Sequence, residues 1–229
     1  MLFDLDGTLV DSMAYWHALT VHQAKMRFGH LGEELEAKIA ILPYPQVQAL
    51  LSETFSVPIE SVKTDREYVR GMMKLFYRDH IGEKKEVCRI LREAHARGIK
   101  TALLTATRQS TMGEALTRLD LLPHLDLILT PDHYPHGKST DEIFLGALSH
   151  FGVTGEETLF FEDSLYSIER VCRIGIRTVG VEDHLSRFDR ERIRLLCEDF
   201  LCPDESLRQV DPAVFAACEK EFGRTAYVL

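Results

Sequence analysis

Cysteine is sparse and unpaired in this chain of 229 residues: Cys88, Cys172, Cys197, Cys202 and Cys218 make an odd set of five with no CxxC among them. A small secreted protein stapled by disulfides would carry an even and denser set, so these read as reduced thiols of a cytoplasmic protein. Long hydrophobic runs are missing as well, and none approaches the roughly 20 residues that span a bilayer. The first apolar stretch is five residues long and already contains Asp4, which is no secretory leader. Cations are outnumbered, 27 Lys and Arg against 36 Asp and Glu, for a net charge of -9. Nucleic acid and anionic membrane both reward cationic surfaces, so neither is expected as a partner. An anionic small molecule stays open, because a few local cations and a metal ion can dominate one cleft. There is no internal repeat and no low-complexity stretch.

The hydrophobic share of 45% is ordinary for a packed protein, and the length suits one α/β domain carrying a smaller inserted one. Four short apolar runs stand out: Lys100–Thr105, Leu125–Thr130, Thr158–Glu162 and Arg177–Val181. Apolar residues on both faces of such runs suit parallel strands buried between helix layers. Amphipathic stretches of helical length separate them, at Glu83–Arg97, Ser110–Leu119, Thr140–Phe151 and Leu165–Ile174. Gly98, Gly152 and Gly175 sit where helices should end. Met1–Leu5 reads as a first, short strand. Alternation of this kind predicts an α/β fold, a Rossmann-like doubly wound parallel sheet. From Asp11 to Gly82 the pattern changes to successive helices, Met13–Phe28, Glu33–Ile41, Pro45–Phe55 and Ser61–His80, punctuated by Gly29, Gly32, Pro43, Pro45 and Pro58. The reading is therefore a core of residues 1–12 and 83–229 with a helical insertion at 13–82, and a tail adding a minor strand at Phe200–Cys202 and terminal helices.

The chemistry concentrates in Asp4-Leu-Asp6-Gly-Thr8. Residues two apart on a strand point to one face, so two carboxylates project together at the carboxyl end of the strand, where open α/β sheets place their ligands. Such a pair can hold a divalent cation, or one member can attack an electrophile while the other moves a proton. Gly7 lets the chain turn sharply and bring N–H groups near an anion. A solvated strand-to-loop junction is the plain alternative. Other residues reach the same edge: Glu162-Asp163 ends a second apolar strand, where adjacent carboxylates are costly unless solvated or paired with a cation. Thr105 ends a third, and Lys138 precedes a helix as a point charge for phosphate.

These pieces together resemble the haloacid dehalogenase superfamily. Phe3-Asp-Leu-Asp-Gly-Thr-Leu-Val-Asp-Ser12 is similar to its first motif, Thr105-Ala-Thr107 to the second, Lys138 to the third and Phe161-Glu-Asp-Ser164 to the fourth, in matching order. The resemblance implies a magnesium-dependent phosphatase acting through an aspartyl-phosphate. Asp4 would be the nucleophile and Asp6 the acid and base. Mg²⁺ would bind Asp4, the Asp6 carbonyl and Asp163, with Glu162 a direct or water-mediated ligand. Gly7, Thr105, Ala106 and Lys138 would hold the phosphate. Dehalogenation is disfavoured, because Asp6 is present.

The resemblance makes residues 13–82 a helical cap, which in the family sets substrate choice. It names a small phosphorylated metabolite as substrate and implies a monomer or weak homodimer. A β-phosphoglucomutase-type phosphomutase is the alternative. It needs a cation in the cap loop Ile41-Leu-Pro-Tyr-Pro-Gln46, which has none, although Lys38 is near. A non-catalytic binding domain on the same scaffold is a third reading. Tyr15 and Trp16 suit core packing, Arg108 either substrate contact or solvent, and His133 and His136 a polar surface; Asp11 is read as holding the cap linker.

Overall fold

The computed structural model describes residues 1–39, 42, 44–62, 65–186, 188–203 and 209–226. Two compact units emerge, Met1–Ser12 with Tyr77–Leu207, and Met13–Phe76 with Arg208–Leu229.

The first unit is built on six parallel strands: β1 (Leu2–Phe3), β2 (Ala102–Leu104), β3 (Leu127–Leu129), β4 (Leu159–Glu162), β5 (Arg177–Val181) and β6 (Asp199–Leu201), in the order β3-β2-β1-β4-β5-β6. Each predicted strand is present, shorter by a residue or two at its ends except Arg177–Val181, which is matched, and Phe200–Cys202, which is shifted back by one residue to Asp199–Leu201. β1 is only two residues long, and Asp4 N–H continues its ladder to the Phe161 carbonyl at 3.0 Å. Strands with both faces covered have no need of polar alternation. One face carries Leu2, Ala102, Leu104 and Phe160 against Ile143, Phe144, Ala147 and Leu148 of helix α7 (Glu142–Phe151), and the opposite face stacks Phe3 on Phe161 at 4.7 Å. The strand order reverses across β1 and β4, and that is where the site lies. Further helices of this unit are α5 (Lys85–Ala96), α6 (Gln109–Arg118), α8 (Leu165–Arg173) and α9 (Arg190–Leu196).

The second unit is helical: α1 (Met13–Phe28), α2 (Glu33–Ile39), α3 (Tyr44–Thr54), a 3₁₀ turn at Ile59–Val62, most of α4 (Arg66–Asp79) and α10 (Pro212–Ala226). Its core gathers Ala24, Ile39, Val47, Leu51 and Val62, with Phe28 stacked on Phe55 at 4.1 Å. Tyr15 is buried against Phe76 at 4.8 Å, so it packs rather than lines a site.

Two features differ from the sequence reading. The boundary falls inside α4, between Phe76 and Tyr77, instead of after Gly82, and Arg208–Leu229 groups with the helices instead of the sheet. The physical reason is aromatic: Phe215 meets His22 at 4.9 Å and Phe76 at 5.7 Å, and Phe222 meets Tyr68 at 5.4 Å. Gly71 makes room for that second ring, since a Cβ there would lie 2.0 Å from Phe222. Residues 41 and 43 of the loop that bears on the mutase reading lie outside the described residues.

Candidate active site

The register of the two central strands assembles the site. Leu2 pairs with Phe160, so Asp4 and Glu162, each two residues further on, emerge on the face that α7 covers. Lys138 sits on the 3₁₀ turn Gly137–Ser139 shortly before α7, and its Nζ lands between them. It lies 2.6 Å from Asp4 Oδ1 and 2.6 Å from Glu162 Oε2. All three side chains are buried. Asp163 adds a third buried carboxylate, and oxygens of Asp4, Glu162 and Asp163 all lie within 4.8 Å of one another. With all three carboxylates ionised, the one buried ammonium would leave two negative charges. That is the charge a divalent cation would neutralise, and the all-oxygen donor set suits magnesium.

Protonation follows this imbalance. Burial, reinforced by Glu162, holds the Asp4 carboxyl well above the usual carboxylate range despite Lys138. Asp163 is raised for the same reasons, burial first, then Glu162, Asp183 and Asp4. Burial also opposes the charged forms of Lys138 and Glu162, but ion pairing wins: Asp4 and then Glu162 hold Lys138 well above the ordinary lysine value, and Lys138 holds Glu162 below the usual range.

Glu162 is spoken for on both oxygens. Oε2 accepts from Lys138, and Oε1 accepts from the N–H groups of Asp163 (3.1 Å) and Ser164 (3.0 Å) and from the Ser164 hydroxyl (2.8 Å). It braces Lys138 and also lies among the clustered carboxylates that could hold a metal, with Lys138 the donor to its Oε2. Gly7 departs from expectation in one respect. It adopts φ of 80°, the left-handed conformation that glycine permits, but its N–H donates to the Val10 carbonyl at 2.9 Å instead of facing an anion.

Asp6 is held differently from Asp4. Its Oδ1 accepts from the Ser12 hydroxyl at 2.5 Å and from the Tyr77 hydroxyl, and its Oδ2 accepts from Thr107 Oγ1 at 2.6 Å. Thr107 N–H donates in turn to Thr105 Oγ1 at 3.0 Å, which ties the buried Thr105 and the Ala106 turn to the same corner. The sequence reading missed Tyr77 and gave no role to Thr107 or Ser12. Ser12 and Thr107 were visible inside the motif stretches, whereas Tyr77 carried no local signal. Outside the cluster, Arg108 pairs with Asp132, and His133 Nδ1 accepts from Thr130 N–H at 3.3 Å. The linkers are tied by Asp11 N–H donating to Gly82 O at 2.9 Å.

Residues 1–181 match the haloacid dehalogenase-like hydrolase family. The chain is 29% identical over 200 residues to the phosphoglycolate phosphatase of Salmonella paratyphi A, covering 78% of this chain and 79% of that one. It is 26% identical over 189 residues to the pyrophosphatase PpaX of Bacillus velezensis, covering 79% and 82%. A solved Thermotoga maritima structure, provisionally named a beta-phosphoglucomutase, superposes with a TM-score of 0.64 at 24% identity, over 96% of this chain and 97% of that one. No helix among the described residues is long and apolar enough to cross a membrane.

Proposed function

This chain belongs to the haloacid dehalogenase-like hydrolases, and from that membership we propose that it is a metal-dependent phosphatase of a small phosphorylated metabolite, with Asp4 as nucleophile. The observation that carries the reading is Lys138 Nζ set between Asp4 and Glu162 with Asp163 alongside. A buried nucleophilic carboxylate must stay anionic when it attacks, and an ammonium braced by Glu162 favours that form.

Asp4 would attack phosphorus in line, forming an aspartyl-phosphate while the substrate oxygen leaves with a proton from Asp6. Asp6 then takes a proton from the water that hydrolyses the intermediate. Thr105, the amide of Ala106 and Lys138 would hold the phosphoryl oxygens. Asp4, the backbone carbonyl of Asp6 and Asp163 would hold Mg²⁺, which when bound supplies charge neutralisation to the nucleophile and the phosphoryl group. Met13–Phe76, the inserted part of the helical unit, is the cap of this reading and the element that would select the substrate.

The names of the relatives support a small phosphate monoester or phosphoanhydride as the substrate class, phosphoglycolate and pyrophosphate being examples. Phosphate release from p-nitrophenyl phosphate and from a panel of phosphorylated metabolites, with and without magnesium, tests the proposal. Activity should vanish in Asp4→Asn, and full turnover by that variant would refute a nucleophilic Asp4.

A further inference from the structure

The two carboxylates of the first motif have partners of opposite chemical character. Asp4 faces the ammonium of Lys138, which has donors and no acceptor and therefore suits only the anion. Asp6 faces three hydroxyls, those of Ser12, Tyr77 and Thr107, and a hydroxyl can donate or accept. A group that must carry a proton in one step and lose it in the next is best held by partners that can reverse.

The three hydroxyls come from separate parts of the chain: the loop after β1, the last turns of α4 and the turn after β2. Tyr77 is the one fixed most firmly. Its side chain is fully buried, and Arg118 on α6 donates to its carbonyl at 3.0 Å and to the Ile81 carbonyl at 2.5 Å, which anchors the end of α4. A phenol has no long flexible stem, so its O–H is placed by the backbone and the ring packing alone.

We propose that Tyr77 is a positioning residue for Asp6, its hydroxyl fixing the carboxyl for proton transfer to the leaving-group oxygen. The inference rests on the phosphatase reading above, in which Asp6 is the proton carrier. As the Asp4–phosphorus bond forms and the bond from phosphorus to the leaving oxygen breaks, the Asp6 proton passes to that oxygen. The Tyr77 hydroxyl, an acceptor or bystander to the protonated acid, turns to donate to the carboxylate left behind. When water attacks the aspartyl-phosphate, its proton returns to Asp6 as the Asp4–phosphorus bond breaks.

Tyr77→Phe keeps the ring that fills the buried site and removes only the O–H. The assay is kcat/KM, which reports the steps up to phosphoenzyme formation, for two esters. The p-nitrophenolate of p-nitrophenyl phosphate leaves without protonation, whereas the alkoxide of glycerol phosphate needs the proton. General acid catalysis contributes about 10²- to 10⁴-fold, so loss of one of three positioning bonds should lower kcat/KM on the alkyl ester by about tenfold and on the aryl ester by less than about twofold. Asp6→Asn should show the same selectivity, larger in size. An equal fall on both esters, or no fall on either, overturns the proposal. Ser12→Ala, which removes the other hydroxyl from the same carboxylate oxygen, should reproduce the selectivity even if Tyr77→Phe folds poorly; an equal fall there also overturns it. Wild-type protein without phosphatase activity would sink the phosphatase reading itself, whereas an active wild type with inactive Asp4→Asn leaves that reading intact and makes Tyr77→Phe decisive for the tyrosine alone.

Discussion

Lys84 makes a demanding test of how this core is held. It stands at the N-terminus of α5, where the helix dipole disfavours a cation, and its side chain is completely buried. Its ammonium donates to the Gly7 carbonyl at 2.6 Å, the Glu182 carbonyl at 3.0 Å and Asp183 Oδ2 at 2.8 Å, so all three protons are used. Asp183 is buried as deeply, 2% exposed at its side chain, and its other oxygen accepts from Leu185 N–H at 3.0 Å. Lys84→Met keeps the volume but leaves Asp183 as a buried, uncompensated charge and strips two carbonyls of a donor. Removing one partner of a buried pair costs about 3–5 kcal/mol. For a chain of this size each kcal/mol moves the melting temperature by about 2–4 °C, so a fall of roughly 10 °C is expected. The double variant Lys84→Met/Asp183→Leu should recover most of it, because a buried pair replaced by apolar groups is often near neutral. What remains is the Leu185 N–H and any of the two carbonyls that water does not reach, at about 1 kcal/mol each. Urea unfolding followed by circular dichroism for the two single variants and the double closes the cycle. A loss below about 1 kcal/mol in Lys84→Met, the figure for a solvated pair, would refute the reasoning, as would a double variant no better than the single.

Further outcomes follow from the same geometry. Lys138→Met removes the cation between Asp4 and Glu162, and phosphatase activity should fall by at least about 10³-fold while magnesium still produces a thermal shift; activity within tenfold of wild type would remove Lys138 from the site. Asp4 and Asp163 have carboxyls raised well above the usual range in the metal-free protein, so the folded state binds more protons than the unfolded one. Their contribution to stability is then greatest at low pH and declines as pH rises from the ordinary carboxylate range through the raised folded values. Magnesium, which favours the anions, should give a larger melting shift near pH 8 than near about pH 5, and a shift that shrinks with pH would contradict the assignment. Thiol labelling of the folded protein should modify the exposed Cys172 and Cys202 first. Cys88, buried and with its thiol pushed up by burial and Glu83, should react only on unfolding, as judged by mass spectrometry of timed samples.

Much of the architecture was legible in one dimension because it is local. Strand and helix periods depend on neighbouring residues, and the breakers Gly98, Gly152 and Gly175 mark helix ends within a few positions, all three with φ between 66° and 77°. The carboxylates Asp4 and Glu162 with Lys138 were also legible, since each stands at the end of an apolar strand or just before a helix and the sheet brings those ends to one edge. What surrounds each of them depended on the order in which strands pair, and periodicity does not encode that order. Asp6 receives hydroxyls from residues 71 and 101 positions away, and Lys84 finds Asp183 across 99 positions. Glu162 could be read as a metal ligand from its place beside Asp163, and only the tertiary structure added its ion pair with Lys138 and the donors on its other oxygen. The same holds for the tail: α10 reads as a helix from its sequence, but the rings of Phe215 and Phe222 against His22, Phe76 and Tyr68 decide which unit it joins. Local chemistry thus set the elements and the residue types of the candidate site. Packing between distant segments set the partners that give two aspartates two positions apart different chemical surroundings.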